Sequence, residues 1–494
     1  MDTALLLEMA AGAAPDRLAA GRRADGVTFE VLQSRARSGA GWLAARGDGA
    51  IVFLGLNGPA LPACVFAAGI LGRPFAPLNY RLPDDDLRRL LARTAPSVAV
   101  VDDDMLPRVA GTAGVALVAR SAFEAACRAP PPPPDLEAPE RDIAVLLFTS
   151  GTTGEPKAAV LRHANLASYV ISTVEFLGAD EDEAALVSVP PYHIAGVSAV
   201  LTGVYGGRRI VHLEAFTPEA WVETAAAEEI THAMLVPTML GRVLDVLEAT
   251  GERLPALRAL SYGGGRMPVN VIRRALDLLP HVDFVNAYGL TETSSTISVL
   301  GPDDHRAAIA SDDPAVSARL GSVGRPLPSV EIEIRDPAGA PLPPGQSGEV
   351  HVRGDQVAGE YLGRKLTDAF GWFATKDAGW VDEGGYLFLE GRLDDVIVRG
   401  GENISPGEIE DVLRAHPAVA DVAVVGAPDE RWGERVAAFV APRGKPPSPD
   451  ELAEWVKTRL RSTKTPETWV FRDELPYNDT GKLLRRVLKA ELSV

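Results

Sequence analysis

The sequence predicts an α/β fold in which a large N-terminal domain precedes a small α+β C-terminal domain. Its 494 residues correspond to roughly two to four domains. Apolar residues make up 46% of the chain and charged residues 23%, as in ordinary soluble globular proteins. Up to Glu349, short apolar runs alternate with longer segments of helical period. This alternation is typical of parallel sheets covered by helices.

The short runs of apolar and β-branched residues predict buried strands, because runs of this length alternate with helical segments. Between the first and the second of them, residues Asp84–Arg93 place three leucines on one face of a predicted helix. In chain order, the predicted strands are Ala50–Leu54, Ser97–Val101, Ile143–Phe148, Arg209–His212, Leu257–Ser261 and Asp283–Asn286.

The uncharged run Ala50–Gly72 is long enough to cross a membrane. Asn57 and Pro59 interrupt it, however, and breakers of this kind mark a turn. We therefore interpret the run as a strand, a turn and a buried helix from about Ala60. The sequence predicts no integral membrane segment.

The pattern changes from Glu349 onward. Short strands at Glu349–Arg353, Gly385–Leu389 and Asp395–Val398 are separated by Gly and Asp turns. About a hundred residues of α+β character follow, the usual size of a small domain. We place the N-terminal domain at residues 1–391, a hinge at 392–394 and the C-terminal domain at 395–494. Within the first domain, Pro130–Pro134 predicts a stiff surface crossing.

Charge and cysteine content exclude several classes of protein. Acidic residues number 67 against 49 basic ones, for a net charge of −18, which argues against nucleic acid as a main partner. Two cysteines, Cys64 and Cys127, provide neither a disulfide framework nor a cysteine zinc site. Asp2 and Glu8 lie in an N-terminus without a basic region, so no secretory signal is predicted. We expect a cytoplasmic protein, monomeric or homodimeric.

The segment Leu146–Lys157 is the first that predicts chemistry. It runs from an apolar strand into a loop with four hydroxyls, two glycines and a lysine. Glycines let backbone N–H groups approach a ligand, and the lysine adds a full positive charge, which suits a polyphosphate. Pro156 precedes the lysine, so this is not a Walker A loop. The alternative interpretation is an ordinary surface loop rich in Ser and Thr.

Lysine usage favours the phosphate interpretation. The chain has eight lysines against 41 arginines, and Lys157 is the only lysine before Lys365. In so biased a composition, an exposed cation would ordinarily be arginine. A lysine at the end of this loop therefore indicates a need for a compact point charge.

This loop resembles the phosphate loop of the adenylate-forming superfamily, which includes acyl-CoA synthetases. Further segments match that family in the family's own order, and together they cover most of the chain. They are Pro190-Pro191-Tyr192-His193, Tyr288-Gly289-Leu290-Thr291-Glu292-Thr293, Asp377, Gly391-Arg392-Leu393-Asp394-Asp395, Gly400-Gly401-Glu402-Asn403 and Asn478-Asp479-Thr480-Gly481-Lys482.

The resemblance implies that the protein binds ATP with Mg²⁺. It makes Glu292 the Mg²⁺ ligand, in agreement with the preference of that ion for carboxylate and phosphate oxygens, and Thr291 a donor to the α-phosphate. Asp377 and Arg392 would bind the ribose hydroxyls. The other implied nucleotide-binding residues are Thr149, Ser150, Gly151, Thr152, Thr153, Gly154, Lys157, Gly263, Gly264, Asn286, Ala287 and Tyr288.

Three further positions have roles that only the resemblance implies. His193 would lie where the acyl pocket meets the thiol tunnel. Lys482 would bridge the substrate carboxylate and the α-phosphate and stabilise the charge that develops there. Asp394 would be the hinge of a mobile C-terminal domain, which withdraws Lys482 and presents Gly401 and Glu402 to admit coenzyme A.

The sequence departs from the family pattern at three positions. Ala158 and Lys376 stand where the family usually has glycine, and Tyr477 stands where it usually has arginine. None of these changes removes a group that the chemistry requires.

We therefore expect an acyl-CoA synthetase that joins a small carboxylic acid to coenzyme A through an acyl-adenylate. Transfer of the acyl group to a carrier protein or an amine, activation of nitrite, and a noncatalytic binding protein remain alternatives. Arg266 could pair with a second substrate carboxylate, although an exposed surface arginine is the better interpretation. The expected acyl-pocket residues are Ile194, Val197, Tyr262, Gly263, Gly264, Gly265 and Ser294.

Overall fold

A computed structural model describes residues 2–130, 142–149, 156–477 and 483–492, apart from the side chain of Asn403. Strands and helices alternate from the N-terminus to Leu300. The strands are β1 (Leu18–Ala20), β2 (Val27–Thr28), β3 (Ala50–Leu54), β4 (Phe75–Pro77), β5 (Ser97–Val101), β6 (Val115–Ala119), β7 (Ile143–Thr149), β8 (Lys157–Arg162), β9 (Ala184–Val187), β10 (Arg209–His212), β11 (His232–Leu235), β12 (Ala259–Gly263), β13 (Asp283–Leu290) and β14 (Ser295–Leu300).

The helices of the same part of the chain cover both faces of its sheets. They are α1 (Thr3–Ala13), α2 (Phe29–Ala44), α3 (Ala60–Ile70), α4 (Asp84–Ala92), α5 (Leu106–Val109), α6 (Arg120–Cys127), α7 (His163–Thr173), α8 (Ile194–Gly206), α9 (Pro218–Ala227), α10 (Pro237–Thr250) and α11 (Val269–Leu278). In α4, three aspartates in the first turn favour the positive helix N-terminus, and Leu87, Leu90 and Leu91 are buried as predicted.

The remainder of the chain is mostly strand, joined by short helices. Its strands are β15 (Arg325–Pro326), β16 (Glu331–Arg335), β17 (Gly348–Arg353), β18 (Glu360–Tyr361), β19 (Arg364–Lys365), β20 (Phe373–Val381), β21 (Leu387–Arg392), β22 (Ile397–Arg399), β23 (Glu402–Ile404), β24 (Val419–Asp429), β25 (Gly433–Pro442) and β26 (Thr468–Phe471). Its helices are α12 (Pro302–Ala310), α13 (Pro314–Ala318), α14 (Pro406–Arg414), α15 (Pro449–Lys457) and α16 (Arg485–Glu491).

Two largely parallel sheets form the N-terminal part. One has the order β19-β18-β8-β7-β4-β3-β5-β6, parallel from β7 to β6. The other has the order β15-β14-β13-β12-β11-β9-β10-β1-β2, parallel from β13 to β1. A buried core that includes α3 and α8 fills the space between them. The predicted α/β class is confirmed, and ligands of such sheets bind at the carboxyl ends of the strands.

Smaller sheets follow along the chain. An antiparallel sheet has the order β16-β17-β20-β21, and the C-terminal sheet has the order β23-β22-β25-β24, with β26 parallel to β25. A separate apolar core lies beneath the C-terminal sheet. The strand β21 ends at Arg392 and β22 begins at Ile397 in a different sheet, so the predicted hinge at 392–394 lies between them. The domain bounds themselves stay a prediction.

Several predicted strands have different bounds in the structure. The strand expected at Leu257–Ser261 is β12, Ala259–Gly263, and the one expected at Gly385–Leu389 is β21. Asp395 belongs to a 3₁₀ turn, Leu393–Asp395, and not to a strand. The strand expected to end at Asn286 continues to Leu290. The predicted Pro130–Pro134 crossing lies outside the described residues except for Pro130.

The described helices give no indication of a membrane-spanning segment. In the described part of the chain, none of them has both the length and the apolar character that a bilayer requires. The run Ala50–Gly72 forms β3, a turn and α3, as predicted.

Candidate active site

A buried carboxylate, Asp377, is fixed by residues of two strands. Its Oδ2 accepts a hydrogen bond of 2.6 Å from the Tyr288 hydroxyl. Its Oδ1 lies 3.2 Å from Arg392 Nε. Asp377 and Arg392 are register partners on β20 and β21, and Arg392 also donates to the Thr375 carbonyl at 2.7 Å. We call these residues, Tyr288, Asp377 and Arg392, the Asp377 cluster.

Asp377 lies within the first strand of the β20–β21 hairpin. Its neighbour Lys376 has a φ of +63°, a left-handed backbone that costs a side-chain-bearing residue roughly 1 kcal/mol or more. The family's usual glycine at this position is explained by that backbone. Lys376 itself is exposed, so the charge of its side chain is not part of the Asp377 cluster.

A second carboxylate, Glu292, lies one short turn beyond β13. It belongs to a 3₁₀ turn, Thr291–Thr293. Its Oε1 accepts a hydrogen bond of 2.5 Å from the Tyr361 hydroxyl. The Lys157 ammonium lies 5.7 Å from the centre of the Tyr361 ring. We call Lys157, Glu292 and Tyr361 the Glu292 cluster.

Both tyrosines keep their protons. Burial, followed by the charge of the adjacent carboxylate, raises the pKa of Tyr288 and of Tyr361. Tyr288 lies on β13, and Glu292 lies in the turn that directly follows this strand. The two clusters therefore form one site beside the carboxyl end of β13.

The phosphate-loop residues are described only at the two ends of the loop. Thr149 ends β7 and Lys157 begins β8, and these residues are register partners of an antiparallel pair. Thr149 Oγ1 also lies 3.4 Å from the Lys157 carbonyl. The loop thus connects two strands and precedes no helix. Ser150, Gly151, Thr152, Thr153 and Gly154 lie outside the described residues.

The turn that bears Thr291 and Glu292 is held by residues that sequence reasoning missed. Thr293 Oγ1 accepts from the Leu290 amide at 2.9 Å and lies 2.9 Å from the Ser295 carbonyl. Gln356, which is fully buried, donates to the Thr293 carbonyl at 3.2 Å. Its spacing of 63 residues from Thr293 left no local signal in the sequence.

Glycine is required where the neighbouring strands end. A Cβ at Gly263 would lie 2.2 Å from the Ala287 carbonyl oxygen, and Gly264 has a φ of +77°. Asn286 is buried and donates to the Ser322 carbonyl at 2.9 Å, which leaves its Oδ1 for other partners. The roles of these four residues at the nucleotide stay predictions.

Two expected pocket residues belong to the core instead. Tyr262 and Val197 are fully buried, and the Tyr262 hydroxyl lies 2.7 Å from His305 Nε2. For Tyr262, the alternation of side chains along a strand could have predicted this burial, because Tyr262 lies on the same core-facing side of β12 as Leu260.

His193 is the residue before α8, and its ring centre lies 5.1 Å from that of Tyr192. Nearby, a cavity of about 300 Å³ has walls that include Tyr80, Pro190, Phe216 and Val236 of the N-terminal part and Tyr477 of the C-terminal part. The cavity lies beside the glycine triplet, because a Cβ at Gly264 would be 3.5 Å from Val236.

Tyr477 also forms an antiparallel bridge with Leu483. Lys482 lies between these two residues and outside the described ones. Its predicted role stays a prediction.

The other C-terminal predictions concern Glu402, Gly401 and Asp394. Glu402 pairs with Arg399 across β22 and β23, Gly401 has a φ of +86°, and the Asp394 carbonyl accepts from Lys489 at 3.0 Å. Arg266 is exposed, as the preferred interpretation expected, but it forms an ion pair with Asp411 of α14. This pair joins the N-terminal and C-terminal parts.

The site can hold Mg²⁺ only with help from a ligand. Among the residues that the structure describes, no three His, Cys, Asp or Glu side chains form a metal-holding group. Tyr361 engages one oxygen of Glu292, and a carboxylate has about four acceptor positions. Since Mg²⁺ usually takes one or two carboxylates together with water and phosphate oxygens, Glu292 fits this ion when a nucleotide is present.

Comparison with known proteins agrees with this geometry. The model of the AMP-binding enzyme family matches residues 7–362, and that of the AMP-binding enzyme C-terminal domain matches 408–482. A feruloyl-CoA synthase of Amycolatopsis sp. is 36% identical over 442 residues, which cover 88% of this chain and 87% of that protein.

Two solved structures have the same fold over nearly all of the chain. One is o-succinylbenzoate coenzyme A synthetase from Bacillus subtilis, in complex with ATP and magnesium ion, with a TM-score of 0.85, 30% identity and coverage of 98% of this chain and 99% of the other. The second is an amide bond synthetase from Marinactinospora thermotolerans, with a TM-score of 0.88, 27% identity and full coverage of both chains. This chain belongs to the AMP-binding enzyme family.

Proposed function

We propose that this protein is an ATP-dependent acyl-CoA synthetase. In the first step, a carboxylate oxygen of the substrate attacks the α-phosphorus of ATP, the bond to the bridging oxygen breaks, and pyrophosphate leaves. In the second step, the thiol of coenzyme A attacks the acyl carbon of the adenylate, a proton is lost, and AMP leaves. The products are an acyl-CoA, AMP and pyrophosphate.

The observation that carries the proposal is the joining of the Glu292 and Asp377 clusters into one site. A nucleoside triphosphate needs a cationic and metal-compatible region for its phosphates and a carboxylate for its ribose hydroxyls. Lys157 and Glu292 provide the first, and Asp377 provides the second. The names of the relatives support the CoA ligase activity, since two of the three that are described above are CoA synthases or synthetases.

Each cluster contributes to the first step. Lys157 would pair with the β- and γ-phosphates, and Thr291 would donate to the α-phosphate. Mg²⁺ bound at Glu292 would neutralise charge on the phosphate oxygens. Asp377 accepts hydrogen bonds from hydroxyl groups, as it does from Tyr288, and would hold the ribose in the same way. Lys482 would stabilise the charge that develops at the α-phosphate.

The second step uses the C-terminal part. A rotation about Asp394 would withdraw Lys482 and bring Gly401 and Glu402 to the site, where coenzyme A enters. Asp394 is exposed and lies between strands of different sheets, a location that tolerates a change of backbone angles.

The acid occupies the cavity beside His193 in this proposal. The cavity has a volume of about 300 Å³, and its walls combine the apolar residues Tyr80, Phe216 and Met239 with the charged residues Arg81, Glu214 and Arg242. We propose that it takes an aryl or a medium to long aliphatic acid. Hydrophobic walls separate neighbouring chain lengths by only about 1–3 kcal/mol per methylene, so a panel of acids is needed. We also propose that the protein works in the cytoplasm, since its cysteines Cys64 and Cys127 are free and buried.

The test measures pyrophosphate release for the panel of acids, with and without coenzyme A, and follows thioester formation. We expect an acid that gives pyrophosphate and, when coenzyme A is present, a thioester and AMP. Asp377→Asn is the negative control. Pyrophosphate without a CoA thioester would redirect the proposal to a carrier protein or an amine as acceptor. Pyrophosphate with nitrite alone would indicate nitrite activation.

A further inference from the structure

Tyr361 lies on a short segment that is bonded to both sides of the phosphate site. The segment's β18 pairs with β8 through Tyr361 and Ala159. The next residue, Leu362, donates its amide to the Ala158 carbonyl at 2.9 Å. The chain that follows Lys157 therefore holds one side of Tyr361.

The preceding residues of the segment fix the other side. The Gly359 amide donates to the Glu292 carbonyl at 2.8 Å. Both carboxylate oxygens of Glu360 accept from Arg162 of β8 at 2.9 Å, through Nε and Nη2. Bidentate pairs of this kind restrict orientation as well as distance. The backbone of Tyr361 is thus fixed relative to both β8 and the Glu292 turn.

The Tyr361 side chain connects the two charged groups of the Glu292 cluster. Its hydroxyl donates to Glu292 Oε1 at 2.5 Å, and the face of its ring lies 5.7 Å from Lys157 Nζ, within the range of a cation–π contact. No other side chain of the described residues bonds to the Glu292 carboxylate. One phenol therefore sets both the direction of the carboxylate and its separation from the ammonium.

We propose that Tyr361 is a positioning residue that orients Glu292 for Mg²⁺. The hydrogen bond occupies one acceptor position of Oε1 and leaves Oε2 free to face the ion. A glutamate in a half-buried turn has several rotamers of similar energy, and a fixed donor selects one of them. Partners of this kind typically change metal affinity by about 10–100-fold. The inference rests on the proposed function, because the metal enters with the nucleotide.

The test is the Mg²⁺ dependence of nucleotide binding in Tyr361→Phe, which keeps the ring near Lys157 and removes only the hydroxyl. Calorimetry would follow the binding of α,β-methylene-ATP to the full chain at increasing Mg²⁺ and in EDTA. Mg²⁺ increases the affinity for the nucleotide, and we expect the Mg²⁺ concentration that gives half of this increase to be roughly tenfold higher in the variant than in the wild type. Affinity in EDTA should stay within about twofold of the wild type, because a missing metal cannot be mispositioned.

Tyr386→Phe is the matched control. The Tyr386 hydroxyl donates to Asp304 Oδ1 at 2.6 Å, so the same type of bond is removed away from the phosphate side. This variant should match the wild type in both conditions, and thermal unfolding should show both variants folded.

Equal Mg²⁺ dependence in Tyr361→Phe and the wild type would overturn this inference but not the proposed function. An equal loss of affinity in Mg²⁺ and EDTA would overturn it too, because it would indicate general damage to the phosphate site. A wild-type protein that binds no nucleotide in either condition would overturn the proposed function and, with it, this inference.

Discussion

Asp377 and Glu292 are both carboxylates that accept a short hydrogen bond from a tyrosine, and their surroundings differ in the cation that is present. Arg392 lies 3.2 Å from Asp377, so that carboxylate already has its counter-charge. Lys157 contacts the ring of Tyr361 rather than the Glu292 oxygens. We propose that the carboxylate with the arginine binds neutral hydroxyl groups and that Glu292 binds a metal ion. In this proposal, the same pair of residue types would provide two binding chemistries.

The largest expected effect on the reaction rate comes from removing the positive charge of Lys482, which belongs to neither cluster. Lys482→Ala should slow adenylate formation by at least roughly 10²–10³-fold, the loss typical of one preorganised donor. The same variant, given preformed acyl-adenylate and coenzyme A, should form thioester at a near-normal rate. Rapid-quench measurement of each half-reaction checks this. An equal loss in both steps would indicate a structural role for Lys482.

On the phosphate side, Lys157→Ala should raise the apparent KM for ATP by roughly 10–100-fold, because charge-assisted hydrogen bonds contribute about 1.5–3 kcal/mol. Lys365→Ala removes an exposed lysine from β19, two strands away from β8 in the same sheet, and serves as control. Initial rates at varied ATP measure both. An unchanged KM in the first variant would remove Lys157 from the site.

On the ribose side, Tyr288→Phe tests whether the two tyrosines act on different parts of the nucleotide. It removes one hydrogen bond to Asp377, for a loss of about 1 kcal/mol or roughly fivefold in ATP affinity. The Mg²⁺ dependence of binding should stay as in the wild type. A shifted Mg²⁺ dependence would show that the clusters are not separable.

The smallest effect concerns the backbone beside Asp377. Lys376→Gly relieves a left-handed backbone that costs about 1–2 kcal/mol, while glycine adds about 0.5–1 kcal/mol of entropy to the unfolded chain. The free energy of unfolding should therefore rise by up to about 1 kcal/mol, as denaturant titration can measure. A clear decrease would mean that the Lys376 side chain stabilises the fold.

Strands buried on both faces were predictable to the residue. The strands β3, β5 and β10 have the predicted bounds, and the interior residues of each are apolar. The strand predicted at β12 begins too early because Leu257 is apolar. This residue is buried, but it precedes the strand. There, burial and extended backbone do not coincide, and the hydrophobic pattern reports only burial.

The candidate site residues that lie in local sequence motifs could be predicted from the sequence. Asp377 and Arg392 lie in contact, and Glu292 follows the strand that bears Tyr288, while the roles that the resemblance implied for them stay predictions. Tyr361 and Gln356 were missed because their partners lie more than sixty residues away in sequence, and no local pattern records such a contact. Lys157 was singled out by the glycines and hydroxyls of its loop, by its rarity in an arginine-rich chain and by the family resemblance.

The most direct test compares Glu292→Gln with Asp377→Asn in one calorimetric experiment, on ATP and 2′,3′-dideoxy-ATP with Mg²⁺ or EDTA. We expect Glu292→Gln to lose the tightening by Mg²⁺ and to keep the preference for ATP over the dideoxy nucleotide. Asp377→Asn should keep the tightening by Mg²⁺ and lose most of that preference. Loss of both properties in either variant would contradict the assignment of metal to Glu292 and ribose to Asp377.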